Sequence, residues 1–391
     1  MPRLPFEILF WLCAGLIVWT QLGYALTMAV ILSLRQLTGF QRGVSGPQGE
    51  PGASPLLVSL IVAAHDEQQV IAAKIANALE LDYPRECLEV IVACDGCTDQ
   101  TAQRAREAGA DVVLELERGG KIKAQDAAVD LARGEILAFS DANALLEPSA
   151  LRLLVGAFAD LNVGYACGQV RFLQASEGPD ATNQEGVYWR YEMWVRALES
   201  RLSSITAGNG AIYATRRESY LVVDPVMGHD LSFPFNMVKR GLRAVYVPGA
   251  LAREKMVPSI EGEFARKRRM MSHTWSIVLR GGMLSPRGYG PGYAVMIISH
   301  RLLRYFSPAL HALVLLANVL LVVDGASIIY LASLLVQLAV LLAAAFAGMI
   351  RVRPLLIARY YVLTTASLAA GLWDLLRSGV SVSWDAAKGT R

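Results

Sequence analysis

Residues 134–143 read Gly-Glu-Ile-Leu-Ala-Phe-Ser-Asp-Ala-Asn, and this stretch constrains the fold more than any other. A short apolar run from Ile136 to Phe139 follows a glycine and then stops at an acid, a small spacer and an amide. Such a run, flanked this way, reads as a buried strand of a parallel sheet. Ligands of open α/β sheets sit just beyond the carboxyl ends of these strands. Asp141 and Asn143 stand there, two residues apart, so in an extended segment their side chains leave the same face. Two oxygen donors on one face suit a hard divalent cation that keeps positions for substrate phosphates. Taken alone, the pair is more simply a cap and a turn residue. The rest of the chain changes that balance.

Residues 56–257 alternate between strand and helix patterns. Strands are expected at 56–63, 88–93, 112–116 and 136–139, with helices at 68–81, 98–108 and 121–132. This is the signature of βαβ units, hence an α/β domain with a mostly parallel sheet and helices on both faces. Polar clusters follow three of the strands: His65-Asp66-Glu67, Asp95-Gly96-Cys97-Thr98-Asp99 and Asp141-Ala142-Asn143. Caps could explain Thr98 or Asp99 individually. They do not explain acids gathered at three strand ends that converge on one crevice. No G-x-G-x-x-G or Walker pattern follows a strand, so a Rossmann dehydrogenase or P-loop enzyme is unsupported.

Mean hydropathy of +0.37 and 54% hydrophobic residues are too apolar for a soluble α/β protein of 391 residues. Residues 6–34 are long enough to cross a bilayer and read as an uncleaved anchor, giving an N-terminal unit at 1–42. A Gly/Pro/Ser-rich linker follows at 43–55, then the α/β domain at 56–257. Residues 258–306 hold the basic cluster Arg266–Arg269 and an apolar stretch whose His300, Arg301 and Arg304 fall toward one face, the pattern of a helix lying in the membrane interface. Residues 307–391 contain two long apolar runs, at 309–323 and 327–350, a fourth apolar segment at 355–376 and a basic tail. The loop at 324–326 lacks Lys and Arg whereas Arg301, Arg304, Arg351, Arg353 and Arg359 flank the outer ends, so a hairpin with both ends cytosolic is expected. Five cysteines, an odd number, fit reduced cytosolic thiols, and Cys94/Cys97 without a second pair or a neighbouring His do not suggest zinc. A net charge of +3 offers no basis for a nucleic-acid partner.

At this point several segments together resemble family 2 glycosyltransferases. Ala63-Ala64-His65-Asp66-Glu67 is similar to their opening strand, Asp95-Gly96-Cys97-Thr98-Asp99 to D-G-S-T-D, Gly120-Lys121 with Ala124 to G-K-x-x-A, and Asp141-Ala142-Asn143 to D-x-D. Gly208-Asn209-Gly210 resembles the acceptor-side segment, His229-Asp230 the acidic pair, and Arg266–Met270 the Q-x-x-R-W of processive members. The style is that of membrane synthases of poly-N-acetylglucosamine, hyaluronan and chitin-like oligomers. The resemblance implies a GT-A-like fold with transmembrane and interfacial helices, in a bacterial-type cell membrane with the catalytic domain cytosolic. It implies a metal-dependent, inverting transfer from a nucleotide sugar, UDP-linked, to a growing glycan, with Mg2+ or Mn2+ at Asp141 and Asn143.

Further roles follow from the resemblance. Glu67, Asp95, Lys121, Asp141 and Arg269 bind the donor, Asp230 is the general base, and Gly208, Asn209 and Gly210 line the acceptor side. Membrane lipids are partners, and an accessory membrane subunit is left open. Two departures qualify the picture: Asn143 replaces the second acid of D-x-D, and Met270 and Arg266 replace the Trp and Gln of Q-x-x-R-W. The second makes single-sugar transfer to a lipid an alternative. The first allows a nucleotide-sugar-binding protein without catalysis, which the intact Lys121 and Asp230 oppose. For Asp230 the competing role is a helix N-cap ahead of 231–240.

Overall fold

The structure is a computed structural model that describes residues 3–39, 55–173, 182–255, 260–350, 352–380 and 382. All of the expected linker but Pro55 lies outside the described residues, as does the basic tail. Eight strands form one sheet: β1 (Val58–Ala64), β2 (Leu88–Asp95), β3 (Val112–Leu116), β4 (Ile136–Asp141), β5 (Leu145–Leu146), β6 (Val163–Leu173), β7 (Ile212–Arg216) and β8 (Arg243–Lys255). Their spatial order is β3-β2-β1-β4-β7-β6-β8-β5.

Half of the sheet matches the expectation. β1 runs parallel to β2 and β4, and β2 parallel to β3. Helices Ile71–Leu79, Thr101–Glu107 and Lys121–Leu131 make the connections. The other half is mixed rather than parallel. β7 is antiparallel to β4 and to β6, β8 is parallel to β6, and β5 is antiparallel to β8. Periodicity marks which side chains are buried and is blind to chain direction, so the reversal at β7 had no signature.

The register places the site. Ala63 pairs with Asp141 and Ala64 with Cys94, so β1, β2 and β4 end level with one another. On the far side of β4, Ser140 pairs with Ile212, which brings the Gly208–Ala211 loop beside Asp141. Alternate side chains of β1 feed two cores: Leu60 and Val62 pack with Ile71 and Ile75, while Ile61 packs with Ile91, Phe139 and Tyr213.

Among the described residues, three helices are long and apolar enough to cross a membrane: Arg3–Leu37, Ile328–Phe346 and Arg353–Ser378. Helices Pro291–Tyr305 and Ser307–Val323, bent by 65°, would make a fourth span together. The segment expected at 355–376 is thus one continuous helix. Arg3 pairs with Asp324 at 2.7 Å, so the start of the first helix and the Lys/Arg-free loop lie at the same end of the bundle.

One expectation is corrected. The basic face of His300, Arg301 and Arg304 does not meet a membrane surface, because these residues are buried against helix Thr182–Leu202. There Glu192 pairs with Arg304, and Glu199 with His300 at 2.6 Å. Helical spacing gathers charges on one face. Only the partner helix decides whether that face meets lipid headgroups or carboxylates.

Candidate active site

The loop after β3 is built around Asp95. Its carboxylate accepts the Gly119 amide at 2.6 Å and the Gly120 amide at 3.0 Å, and Arg118 stands 3.7 Å away. Gly120 has φ of +92°, and a Cβ there would stand 2.5 Å from Val382, so only glycine fits. Asp95 is 1% exposed, which makes it first of all the anchor that aims helix Lys121–Leu131 at the strand ends. Glu67, 2% exposed, lies against the start of helix Thr101–Glu107, its amide donating to Thr101 Oγ1 at 2.8 Å.

Lys121, the first residue of that helix, reaches across to pair with Asp141 at the end of β4 and donates to the Gly210 carbonyl at 3.3 Å. Beneath this pair lies a residue the sequence did not flag. Lys74 is fully buried and donates to Ser140 Oγ at 2.7 Å and to the Ala144 carbonyl at 2.5 Å. Burial pushes its ammonium down to about 7, while the Asp141 charge opposes that.

Glu254 was missed as well. Leu145 of β5 pairs with Arg253 of β8, so Glu254 falls opposite Ala144, immediately after Asn143. Its Oε1 is buried with no hydrogen-bond partner. Burial and the Asp141 carboxylate push Glu254 up to about 7. It lies more than one hundred residues from Asp141 in a strand with no motif around it, so no local signal could have found it.

Across from Lys121 stands Asp230. Gly228 occupies the N-cap position of helix His229–Lys239 and Asp230 is its second residue, its carboxylate accepting backbone amides of that first turn. The Gly208 amide donates to the Asp230 carbonyl at 2.6 Å, and a Cβ on Gly208 would stand 2.0 Å from the Tyr165 hydroxyl. Gly210 lies between the two charged groups: a Cβ there would be 3.8 Å from Asp230 Cγ and 4.0 Å from Lys121 Nζ. Burial raises the Asp230 carboxyl, with the Lys121 charge opposing. Neighbouring His229 is held down to about 3 by burial and packs among Tyr213, Tyr220 and Phe233, donating to or accepting from the Tyr213 hydroxyl at 2.7 Å.

A cavity of about 1130 Å³ joins these parts. Glu67, Lys121, Asp141, Asn143, Gly208, Asn209, Gly210, Asp230, Glu254 and Arg269 all line it, whereas Asp95 stays beneath its floor. Arg269 is exposed at the rim on helix Ile260–Arg280. Lys267 of the basic cluster turns to Tyr360, and Arg268 forms a two-bonded pair with Asp374. The cavity continues past Asp230 to helices Arg3–Leu37 and Arg353–Ser378. Tyr188, Trp189 and Tyr191 line it too, from helix Thr182–Leu202. His65 and Asp66 come within 4.8 Å of Cys97, a grouping the spacing of the cysteines did not suggest.

The family described as "Glycosyltransferase like family 2" matches residues 55–272, more than half of the chain. The chain belongs to glycosyltransferase family 2. This family 2 protein is 26% identical to an N-acetylglucosaminyltransferase of Mesorhizobium japonicum over 241 residues, covering 57% of this chain and 56% of that one. It is 27% identical to a beta-monoglucosyldiacylglycerol synthase of Nostoc sp. over 260 residues, covering 60% and 54%. The chain thus spans a little over half the length of the curated relatives it matches. The mannosyltransferase PcManGT of Pyrobaculum calidifontis, solved with GDP-Man and Mn2+, superposes with a TM-score of 0.65 at 21% identity, over 94% of this chain and 99% of that one. The likeness establishes the GT-A-like fold with its mixed sheet and flanking helices.

Proposed function

We propose that this family 2 protein is an integral membrane, inverting glycosyltransferase that moves a sugar from a nucleotide sugar to a membrane-held acceptor. The observation that carries the reading is the facing of Lys121–Asp141 and Asp230 across Gly210, inside one cavity that opens toward the apolar helices. A divalent cation fits the donor set: the Asp141 carboxylate, the Asn143 amide oxygen and the Glu254 carboxylate, whose Oε1 has no hydrogen-bond partner, are the hard oxygen ligands that Mg2+ or Mn2+ takes. Glu254 supplies from β8 the charge that Asn143 lacks. Bound there, the cation would neutralise the diphosphate as it leaves.

The remaining steps belong to the chain's own groups. Lys121 stabilises the negative charge that grows on the leaving diphosphate oxygen. Asp230 takes the proton of the acceptor hydroxyl as that oxygen bonds to the anomeric carbon and the sugar–diphosphate bond breaks on the opposite face. Nucleoside diphosphate departs, and the anomeric centre is inverted. Raising the Asp230 carboxyl by burial makes it a better proton acceptor than a solvated aspartate. Glu67 and Arg269 hold the donor from the sides of the cavity, while Asp95 acts through the loop it pins.

Acceptor extension into a glycan is one outcome and a single transfer to a lipid is the other. The second is favoured by the Met270 substitution and by cavity walls drawn from helices Arg3–Leu37 and Arg353–Ser378. The test is a radiolabelled-donor screen on membranes with UDP-N-acetylglucosamine, UDP-glucose and GDP-mannose, products separated by size and by solvent extraction. Asp230→Asn runs alongside at saturating donor and metal. The expected loss is at least about 10²-fold in turnover with donor affinity little changed. Near wild-type turnover in folded Asp230→Asn removes that residue from the mechanism; tight donor binding without turnover in the parent protein favours a binding role instead.

A further inference from the structure

The cavity has a second polar end that donor chemistry does not use. Arg196 on helix Thr182–Leu202 and Arg301 and Arg304 on helix Pro291–Tyr305 line it, at 6%, 7% and 8% exposure. Each keeps a buried nitrogen without a hydrogen-bond partner: Nε of Arg196 and a terminal nitrogen of Arg301 and of Arg304. The carboxylates nearby are already engaged. Glu192 pairs with Arg304, and Glu199 accepts from Tyr24 at 2.8 Å, from the Thr206 amide at 2.9 Å and from His300 at 2.6 Å. Arg301 Nε donates to the Thr206 hydroxyl at 2.8 Å, and its guanidinium also meets the Tyr305 side chain. Arg196 has no acid at ion-pair distance among the described residues; its neighbours include Met193 Sδ at 3.8 Å, the Tyr246 ring at 5.8 Å, the Cys167 thiol and, at longer range, Asp230.

Three permanent cations therefore lie among Glu192, Glu199 and, at longer range, Asp230 in a buried place, with N–H groups left over. Leaving such donors unmade is costly, and a buried cation wants an anion. Guanidinium matches the oxygens of a phosphate better than any other side chain does. The position adds the rest. The same cavity runs from Asp230 at one end to Leu22 and Ile357 of the apolar helices at the other, so an anionic head and an apolar tail both have a place.

Resting on the glycosyltransferase reading, we propose that Arg196, Arg301 and Arg304 bind a phosphoryl group carried by the acceptor, whose hydroxyl is thereby presented to Asp230 and whose lipid tail lies along the apolar helices. The donor diphosphate stays at Asp141 and Lys121. The acceptor is then a lipid phosphate or diphosphate ester bearing the sugar or alcohol that is glycosylated. A reaction that attaches a phosphoryl group to a lipid carrier must precede this one.

The test measures binding, on the full chain in phosphatidylcholine nanodiscs, with geranylgeranyl phosphate, geranylgeraniol and inorganic phosphate as probes. Donor affinity is measured on the same samples. Arg196 is the residue to change because, among the described residues, no carboxylate stands at ion-pair distance from it, although at longer range its charge lowers the Asp230 carboxyl. Geranylgeranyl phosphate should bind saturably, geranylgeraniol about 10-fold or more weakly, and Arg196→Gln should weaken the phosphate about 10-fold, with Arg196→Lys between. Inorganic phosphate binding as tightly as the lipid keeps the phosphoryl assignment and overturns the tail. Equal binding of phosphate and alcohol, or unchanged affinity in Arg196→Gln, overturns the proposal. So does a loss of donor affinity in that variant, which would give the arginines to the donor diphosphate. A parent protein that binds geranylgeranyl phosphate yet no nucleotide sugar keeps this site and defeats the glycosyltransferase reading on which its role rests.

Discussion

Lys121→Met separates several roles that meet on one ammonium. In the structure Lys121 pairs with Asp141, donates to the Gly210 carbonyl at 3.3 Å, and holds down the carboxyl of Asp230, which burial raises. Methionine keeps the length and removes the charge. A fixed donor aimed at charge developing in the transition state is worth about 10²–10³ in turnover. The side chain is 22% exposed, so partial solvation puts the expected loss near the lower limit, about 10²-fold. The pH profile gives a second readout. A general base works deprotonated, so activity rises as pH climbs through the Asp230 pKa. With the Lys121 charge gone, that pKa moves up, and the acid limb of the residual activity shifts to higher pH. Metal affinity gives a third, of opposite sign: the ammonium no longer competes for Asp141, so Mn2+ binds more tightly to Lys121→Met although turnover falls. Steady-state profiles between pH 5 and 9 and Mn2+ titration by electron paramagnetic resonance read all three. Turnover within twofold of the parent, together with an unmoved acid limb, would refute the assignment.

The metal assignment predicts that Asp141→Ala abolishes turnover and most Mn2+ binding, that Glu254→Gln weakens Mn2+ without abolishing it, and that Asn143→Asp binds Mn2+ at least as tightly; EDTA removal and Mn2+ titration decide. Gly208→Ala should lower stability by about 1–3 kcal/mol, because its Cβ would stand 2.0 Å from the buried Tyr165 hydroxyl. A thermal melt equal to the parent's would show that the loop has room to spare. For topology, cysteines at Gly325 and Gly49 in a background without native cysteines should react with an impermeant thiol reagent in intact cells at 325 only, and labelling at 49 alone reverses the orientation.

Much of the catalytic half was legible because its information is local. A strand that ends in an acid at the carboxyl end of the parallel half of a sheet marks a candidate ligand position within ten residues, as the run up to Asp141 does. Gly120-Lys121, one turn at the start of a helix, does the same. The apolar helices were legible for the related reason that length and hydropathy are summed over consecutive residues. What only the tertiary structure decided concerns partners distant in the chain. Glu254 joins Asp141 solely because β8 pairs with β5, and Lys74 lies under the site solely because one helix packs across β4. Arg301 and Arg304 read as a membrane-facing stripe until helix Thr182–Leu202 supplied Glu192 and Glu199. A sequence fixes how charges are spaced along an element, but burial and pairing are set by the neighbouring element. That neighbour turns the same arginines from a surface anchor into a buried anion site.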